Sequence, residues 1–492
     1  MTHLVESRHH VSLDDYDRVG RLAVAVADLR QEAHSLVPTL ADRRVWMVNS
    51  TTHGGGVAEL LPPLVSLLRD LGVDANWLVI EPSDPEFFPL TKRLHNLIHD
   101  QGDPNLGPAD RELYQRFSAE TAAEIGRYVG HGDVLVTHDP QPLGAGALTR
   151  REHEITAIWR CHIGVDQRTP RTSAAWRFLQ PYASGYDHAV FSAPEYIPSY
   201  LSGRTTIIHP GIDPLSHKNR DLSIHKLVGI LVNGGLTPAY GPVLAPPFAQ
   251  QARRLQPDGS WALATEPEDI GLLYRPIITQ VSRWDRLKGF LPLMAGFVSM
   301  KEQAARRTDL LPRDRRAVET ARLVLAGPHP DGVADDPEGA IVLKEIAAAY
   351  QDLAPEMRDA IVVIRLPMAS TKENALLVNA LQRCSDIVVQ NSLREGFGLT
   401  VTEAMWKYAA VVGTSAVGLR QQIRPGVDGC LIDDPTDPEE IARTLLDLLL
   451  DPHRREALGS AAQRRVQDDF LVLTQVRRWL EVITYAVAPA PA

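Results

Sequence analysis

Short apolar runs alternate along the whole chain with longer amphipathic segments, a pattern typical of parallel α/β units. Two sheets of about six strands each fit this pattern, because each run is followed by a predicted helix or turn. The predicted buried strands of the first half are 45–50, 75–80, 133–138, 157–163, 188–193 and 205–210. Those of the second half are 277–282, 321–327, 360–366, 386–391, 410–415 and 429–433.

Interruptions of the pattern divide the chain. The sequence HPGIDPL at 209–215 places a boundary between an N-terminal domain, 1–212, and a C-terminal domain, 213–470. The segment 217–274, with its NGG, YGPVLAPPF and PDGS sequences, is expected to be a long loop, either functional or a plain surface elaboration. The last segment, 471–492, is predicted to be a helix that docks on the N-terminal domain through its apolar face.

A helix is also expected after the first strand. Pro62 and Pro63 are predicted to kink this helix or delay its start, because proline has no N–H to donate.

Length and charge narrow the class of protein. With 492 residues, two domains are expected, and a formal net charge of −10 argues against nucleic acid as the main partner. The three cysteines form no CxxC pair, no secretory h-region follows the N-terminus, and no uninterrupted apolar stretch reaches membrane-spanning length. A cytoplasmic protein without a membrane segment is therefore expected.

The first candidate site is NSTTHGGGVAEL, residues 49–60, between a predicted strand and a predicted helix. Three glycines here let backbone amides approach a ligand closely, and a helix N-terminus favours an anion. The segment is neither a dinucleotide fingerprint nor a P-loop. A ligand-binding loop is favoured over a purely structural turn.

Two further segments carry candidate chemistry in the second half. In SRWDRLKG, residues 282–289, Arg283 and Lys288 can converge on a diphosphate and stabilise its charge as it leaves. In NSLREGFGLTVTEAMW, residues 391–406, glycines force a turn before a helix. This places Glu395 in the loop, where it can bind sugar hydroxyls, and Glu403 on the helix, where it can reach a ribose.

Together these segments resemble retaining glycosyltransferase family 4, whose hallmark is E-x7-E with an upstream Arg and Lys. The resemblance covers almost the whole chain and is closest to the branch of trehalose glycosyltransferring synthases and trehalose phosphorylases. The most specific matches are REGFGLTVTEAMWK and WRCHI. The resemblance implies the GT-B architecture, in which two Rossmann-like, doubly wound parallel-sheet domains flank an active-site cleft.

The resemblance also assigns roles. Arg283 and Lys288 would bind the donor diphosphate, Glu395 the transferred hexose, and His162 would lie beside the reacting sugar. The catalytic residues expected on this basis are His162, Arg283, Lys288 and Glu395. The expected substrate-binding residues are Asn49, Gly55, Gly56, Asp139, Gln141, Arg160, Phe397, Gly398, Leu399, Thr400 and Glu403.

The implied reaction moves glucose or a similar hexose from a nucleotide sugar to a small sugar acceptor, giving trehalose or an analogue with retained anomeric configuration. Neither a cofactor nor a metal is expected, because two cations can neutralise the diphosphate. Trehalose phosphorylase activity and a non-catalytic sugar or nucleotide sensor are the alternatives. The donor base, the exact acceptor and a homodimeric assembly stay open.

Two features depart from this branch. Val417–Gly418 stands where the branch usually has a Gly-Gly pair, which predicts an altered donor loop because valine rarely adopts a positive φ. WRCHIGVD, residues 159–166, also continues differently from the usual acceptor-side motif.

Overall fold

The computed structural model describes residues 2–6, 11–52, 56–81, 84–239, 241, 247–332 and 337–488. The chain forms two compact units, and the backbone passes between them twice, after Asp213 and after Asp468. Unit 1 comprises Met1–Asp213 and Asp469–Ala492, and unit 2 comprises Pro214–Asp468. None of the helices in the described part of the chain combines the length and apolar character needed to cross a bilayer.

Within the described residues, unit 1 is built on a seven-stranded sheet in the order β1-β3-β2-β4-β5-β6-β7. Neighbouring strands pair in parallel except for β1, which pairs antiparallel with β3. The strands are β1 (Thr2–Leu4), β2 (Arg44–Asn49), β3 (Asp74–Ile80), β4 (Val134–His138), β5 (Thr156–Cys161), β6 (His188–Phe191) and β7 (Thr205–Ile207). The helices are α1 (Leu13–Asp17), α2 (Ala23–Leu36), α3 (Gly56–Asp70), α4 (Phe87–Ile98), α5 (Pro108–Ile125), α6 (Leu143–Glu152), α7 (Pro170–Ala183) and α18 (Val472–Val487).

Unit 2 has an eight-stranded sheet over its described residues, in the order β15-β14-β13-β10-β11-β12-β8-β9. Its strands are β8 (Arg253–Leu255), β9 (Trp261–Ala262), β10 (Ile277–Val281), β11 (Arg322–Pro328), β12 (Ile361–Leu366), β13 (Ile387–Val389), β14 (Ala410–Thr414) and β15 (Cys430–Ile432). Its helices are α8 (Ile224–Asn233), α9 (Phe290–Arg306), α10 (Pro312–Thr320), α11 (Pro337–Gln351), α12 (Pro355–Ala360), α13 (Thr371–Arg383), α14 (Leu399–Trp406), α15 (Val417–Gln422), α16 (Pro438–Leu450) and α17 (Pro452–Asp469).

Burial on both faces explains why the strands are continuously apolar in sequence. In β11, Leu323 and Leu325 contribute to one apolar core of unit 2, whereas Val324 and Ala326 contribute to the other. Successive side chains of a strand point to opposite faces, so a sheet covered by helices on both sides needs apolar residues at every position. All twelve predicted strands are present, and the expectation of two parallel-sheet α/β domains is confirmed.

Over its described residues, the segment 217–274 is not a continuous loop, and most of its YGPVLAPPF sequence, 240 and 242–246, lies outside those residues. It contains α8 and the short antiparallel pair β8–β9, which extends the sheet of unit 2 at its edge. The turn of this hairpin is the PDGS sequence, where Gly259 adopts a φ of 83° and Gln256 N–H donates to the Ser260 carbonyl at 2.8 Å. The β8–β9 hairpin of this segment therefore adds two strands to the sheet, and the polar PDGS sequence forms its turn.

Two further predictions concern single helices. Helix α3 begins at Gly56 and runs through Pro62 and Pro63, so the prolines do not delay its start. Helix α18 buries Val476, Trp479 and Ile483, and packs on α2 and α3 within unit 1.

Candidate active site

The candidate residues of unit 2 lie where parallel strands end. Ser282 follows β10 and Gln390 follows β13, while Thr414 closes β14. Because β10, β13 and β14 pair in parallel, their carboxyl ends meet at one edge of the sheet. This is the edge at which α/β proteins usually bind ligands.

Lys288 and Glu395 form the centre of this group. The Lys288 ammonium lies 2.6 Å from Glu395 Oε2, and the two side chains are only 14% and 12% exposed. Ser392 Oγ donates to the same carboxylate oxygen at 3.0 Å, and Gln390 Nε2 donates to it at 3.4 Å. A carboxylate and an ammonium are thus fixed together at the strand edge, although 107 residues separate them in sequence.

Local backbone structure holds Lys288 in place. Asp285 caps a single 3-10 turn over Arg286–Lys288, its side chain accepting from Leu287 N–H at 2.8 Å. The turn ends at Gly289, which has a φ of 61° and approaches Asn391 so closely that a Cβ would lie 2.2 Å from the Asn391 carbonyl oxygen. The loop carrying Lys288 is therefore locked against the loop carrying Glu395.

Arg283 lies in the same loop and is exposed, whereas the neighbouring Trp284 is 1% exposed. Trp284 Nε1 donates to the Pro328 carbonyl at 2.7 Å, which ties the loop to the end of β11. Trp284 thus anchors the loop while Arg283 stays at its surface.

Phe397, Gly398, Leu399 and Thr400 form the turn into α14. Gly398 is the N-cap, with φ 84° and ψ 58°, and Leu399 begins the helix. The first N–H groups of a helix have no intrahelical acceptor, so those of Leu399 and Thr400 are available to an anion.

Glu403 is 6% exposed and lies on α14, with its carboxylate 3.6 Å from the Lys218 ammonium. Its carbonyl accepts from the Lys407 ammonium at 2.9 Å, and Lys407 also donates to Gln382 at 2.8 Å. Burial lowers the pKa of Lys407 to about 7, while the charge of Glu403 opposes this shift.

Val417 does not have the positive φ on which the expected change in the donor loop depends. Val417 is the first residue of α15 and is absent from the described residues with positive φ, so a β-branched side chain is tolerated there. Gly418 is the position under constraint, because a Cβ on it would lie 2.4 Å from Phe397 Cα. Its N–H donates to the Glu395 carbonyl at 3.1 Å.

Replacing Gly418 with alanine is therefore expected to displace the 395–398 turn, at an overpacking cost of about 1–3 kcal/mol, and to weaken binding of the nucleotide-sugar donor that the sequence predicts. Gly229, in α8, serves as the matched control, because a Cβ added to it would meet no atom within 4 Å. Thermal unfolding and donor KM should both change in Gly418→Ala but not in Gly229→Ala. Equal behaviour of the two variants would contradict this steric argument.

Unit 1 gathers a second polar group at the carboxyl edge of its own sheet. His138 ends β4 opposite Arg160 of β5, and His162 follows β5 directly. His138 Nδ1 and His162 Nε2 are 3.0 Å apart, and the two rings stack at 5.3 Å. Asp139, with a φ of 64°, accepts from the His162 backbone N–H through Oδ1 at 2.8 Å.

Burial shifts the pKa values of His138, His162 and Asp139. It lowers the pKa of His138 to about 3 and that of His162 well below its usual value, and the positive charge of Arg160 acts in the same direction. Burial also raises the pKa of Asp139 to about 6, although Arg160 and the His162 N–H oppose this shift. Both imidazoles are therefore neutral near pH 7.

Two of the predicted substrate-binding residues, Arg160 and Asn49, lie beneath the surface. Arg160 is 0% exposed and donates to Ser192 Oγ at 3.1 Å. Asn49 is 3% exposed, and its side chain accepts from Trp77 Nε1 at 2.8 Å and donates to the Thr51 carbonyl at 2.7 Å. Gln141 is half-buried at the start of the loop into α6.

Of the predicted glycines, Gly55 lies outside the described residues, and Gly56 is the first residue of α3. Among the described residues, no three His, Cys, Asp or Glu side chains are grouped as a metal site would require.

Sequence reasoning did not single out His138, Gln390 or Ser392. His138 is the last residue of β4, Gln390 directly follows β13, and Ser392 lies two positions further along the chain. Strand-end position, combined with parallel pairing, is the signal that could have identified them.

Comparison with known proteins identifies related sequences over nearly the whole chain. The family model described as "Trehalose synthase, N-terminal domain" matches residues 47–198, and "Glycosyl transferases group 1" matches residues 366–465. The trehalose synthase of Thermococcus litoralis is 33% identical over 475 residues, which cover 96% of this chain and 96% of the relative. The trehalose phosphorylase of Grifola frondosa is 25% identical and aligns with 89% of this chain but 56% of the relative.

Among solved structures, a UDP-forming α,α-trehalose-phosphate synthase from Burkholderia xenovorans, in complex with glucose-6-phosphate, superposes with a TM-score of 0.61. It is 14% identical, and the match covers 90% of this chain and 100% of that one. At this identity the likeness concerns the fold alone, and it supports the expected GT-B architecture.

Proposed function

Because the chain belongs to the trehalose synthase family of glycosyltransferases, we propose that it makes trehalose or a close analogue from a nucleotide sugar. Glucose or a similar hexose would pass from a nucleoside diphosphate sugar to glucose or a glucose-like acceptor, with retention of anomeric configuration. The main support is the Lys288–Glu395 pair beside the Gly398 turn of α14. A cation, a carboxylate and the first N–H groups of a helix together suit a sugar diphosphate.

In the proposed reaction, the bond between the anomeric carbon and the diphosphate oxygen breaks as the acceptor oxygen attacks from the same face. The acceptor's proton passes to the leaving phosphate oxygen, so no protein carboxylate acts as nucleophile. Lys288 and Arg283 stabilise the charge that develops on the diphosphate, and Glu395 holds hydroxyls of the transferred hexose.

On the acceptor side, we propose that His162 lies beside the reacting sugar and that Asp139 and Gln141 bind acceptor hydroxyls. A neutral His162 suits this role, because it contacts the sugar without adding a positive charge next to a developing oxocarbenium ion. Arg160, which donates to the Ser192 hydroxyl, and Asn49, which donates to the Thr51 carbonyl, would support the site instead of touching the acceptor.

Trehalose phosphorylase activity is the second candidate, supported by the similarity to a phosphorylase. The same cations would then bind inorganic phosphate. Incubating trehalose with either phosphate or a set of nucleoside diphosphates separates the two reactions. Release of glucose that requires a nucleoside diphosphate supports the proposed synthase, and release that requires only phosphate supports the phosphorylase.

The direct test is a panel of nucleotide sugars offered with glucose and related acceptors, with the product identified by NMR. A 1,1-linked product with both anomeric carbons in the α configuration is expected. Failure of every nucleotide sugar as a donor would contradict the proposal.

Metal independence is a further prediction. Lys288 and Arg283 supply the positive charge that a divalent cation would otherwise provide, so turnover is expected to survive excess EDTA. Assays with EDTA, and with Mg²⁺ or Mn²⁺ added back, measure this directly. A strict requirement for a divalent cation would mean that the two side chains do not neutralise the diphosphate.

A cytoplasmic location and a possible homodimeric state stay predictions. Cys161, Cys384 and Cys430 are all unpaired, which is compatible with a reducing compartment. Cell fractionation and analytical ultracentrifugation test the two predictions.

A further inference from the structure

Gln422 is 0% exposed and lies behind the turn formed by Phe397, Gly398, Leu399 and Thr400. It is the last residue of α15, and its side-chain amide nitrogen donates to the carbonyl of Phe397. The same nitrogen lies 3.3 Å from the Gly398 carbonyl and 3.0 Å from the Gly418 carbonyl. Three carbonyl oxygens around one atom identify it as the NH2 end of the amide, because the amide oxygen has no hydrogen to donate to them.

The other end of the amide is fixed as well. Thr402 Oγ1 donates to Gln422 Oε1 at 2.5 Å, from one turn inside α14. The backbone carbonyl of Gln422 accepts from Arg465 Nε at 2.8 Å, which ties the end of α15 to α17. Gln422 thus links α14, α15 and α17 to the turn at Phe397 and Gly398.

These bonds orient the amide groups of the turn. The carbonyl and the N–H of a trans peptide point in opposite directions, and the Phe397 and Gly398 carbonyls both point towards Gln422. The N–H groups of Gly398 and Leu399, which belong to the same two peptides, therefore point away from α15. Gly398 is left-handed and Leu399 is helical, and successive N–H groups in such a pair form an anion-binding concavity.

We propose that Gln422 is a positioning residue for the donor phosphates, holding the Gly398 and Leu399 amides in the orientation that binds a diphosphate. Gln422 does not touch the ligand, because its own side chain is fully buried behind the turn. The inference rests on the proposed function in taking the anion to be the donor's diphosphate or, in a phosphorylase, inorganic phosphate.

Gln422→Met removes both N–H donors at similar volume. We expect it to weaken binding of ADP, UDP and inorganic pyrophosphate about tenfold, while affinity for adenosine and uridine changes less than about twofold. Isothermal titration calorimetry with each of these compounds gives the comparison. Gln421→Met is the matched control, since it changes the neighbouring side chain and leaves the amide contacts of Gln422 in place.

Gln422→Glu adds a readout that a purely structural role would not give. An ionised carboxylate cannot donate to the Phe397 carbonyl, whereas a protonated one can. The ratio of variant to wild-type pyrophosphate affinity is therefore expected to rise as the pH falls from about 8 to about 5.5. Thr402→Val, which removes only the bond that orients the amide, should cause a smaller loss of the same kind and serves if Gln422→Met does not fold.

Equal losses for nucleosides and pyrophosphate, or no loss in any variant, would overturn the proposal. If wild-type protein binds pyrophosphate or phosphate but no nucleotide, the nucleotide-sugar donor is wrong and the role of Gln422 is still measured on the simpler anion. If wild-type protein binds neither nucleotides nor simple anions, both proposals fail.

Discussion

Replacing Lys288 with alanine is expected to lower turnover about 100-fold to 1,000-fold while leaving the fold intact. The Lys288 ammonium lies 2.6 Å from Glu395 and is largely buried. Electrostatic interactions are stronger there than at the surface, because the effective dielectric constant is lower. Loss of the ammonium removes a cation that is proposed to stabilise the leaving diphosphate. Steady-state kinetics with saturating donor measure the effect, and thermal unfolding checks that the variant folds.

Arg283→Ala is expected to lower turnover to a similar degree, because its side chain is the second cation proposed at the diphosphate. Arg286 supplies the matched control. It lies in the same turn, is exposed, and pairs with Glu338 at 2.9 Å and with Glu345 at 2.5 Å. Arg286→Ala should keep near-normal turnover, and near-normal turnover in both Lys288→Ala and Arg283→Ala would overturn the site assignment.

Most strands could be predicted because each is a run of consecutive residues that are mostly apolar and buried. Every position of β2 from Val45 to Asn49 is buried, and such a run is recognisable without any tertiary knowledge. The strands that escaped prediction, β1, β8 and β9, have two or three residues each and pair antiparallel at sheet edges. Nothing in so short a segment separates a strand from a loop, and only the neighbouring strand makes the difference.

Motifs identified the region of the polar group in each unit, but tertiary structure decides which atoms face outwards. Asn49 and Arg160 occur in recognisable segments, yet both side chains are buried by neighbours far away in sequence, such as Trp77 and Ser192. Gln422 illustrates the converse. No motif marks it, and its importance follows from carbonyls that the fold brings to its side chain.

The rule that valine rarely adopts a positive φ also has no consequence at Val417. A valine in place of glycine predicts a disturbed loop only if that position needs a positive φ, and here it begins a helix instead. Glycine is required at Gly418 instead, because α15 there touches the backbone of the turn at Phe397. The φ of a single loop residue depends on how the next helix packs, so the sequence could not decide which of the two positions requires glycine.

The two carboxylates of the donor site are expected to respond differently to neutralisation. Glu395→Gln should lower turnover strongly without weakening the binding of a nucleoside diphosphate, because Glu395 is proposed to hold the hexose. Removing its charge also leaves Lys288 without its carboxylate partner, which favours a bound anion. Calorimetry with the diphosphate alone should therefore show unchanged or tighter binding in this variant.

Glu403→Gln should do the reverse, weakening diphosphate binding more than it slows transfer at saturating donor, because its carboxylate is proposed to bind the ribose. Lys218 complicates this variant, since its ammonium lies 3.6 Å from Glu403 and the substitution breaks this ion pair. Lys218→Met separates the effects: if it leaves diphosphate affinity unchanged while Glu403→Gln lowers it, the carboxylate contacts the nucleotide directly. Equal losses of binding and turnover in Glu395→Gln and Glu403→Gln would mean that the hexose and ribose roles have been assigned to the wrong side chains.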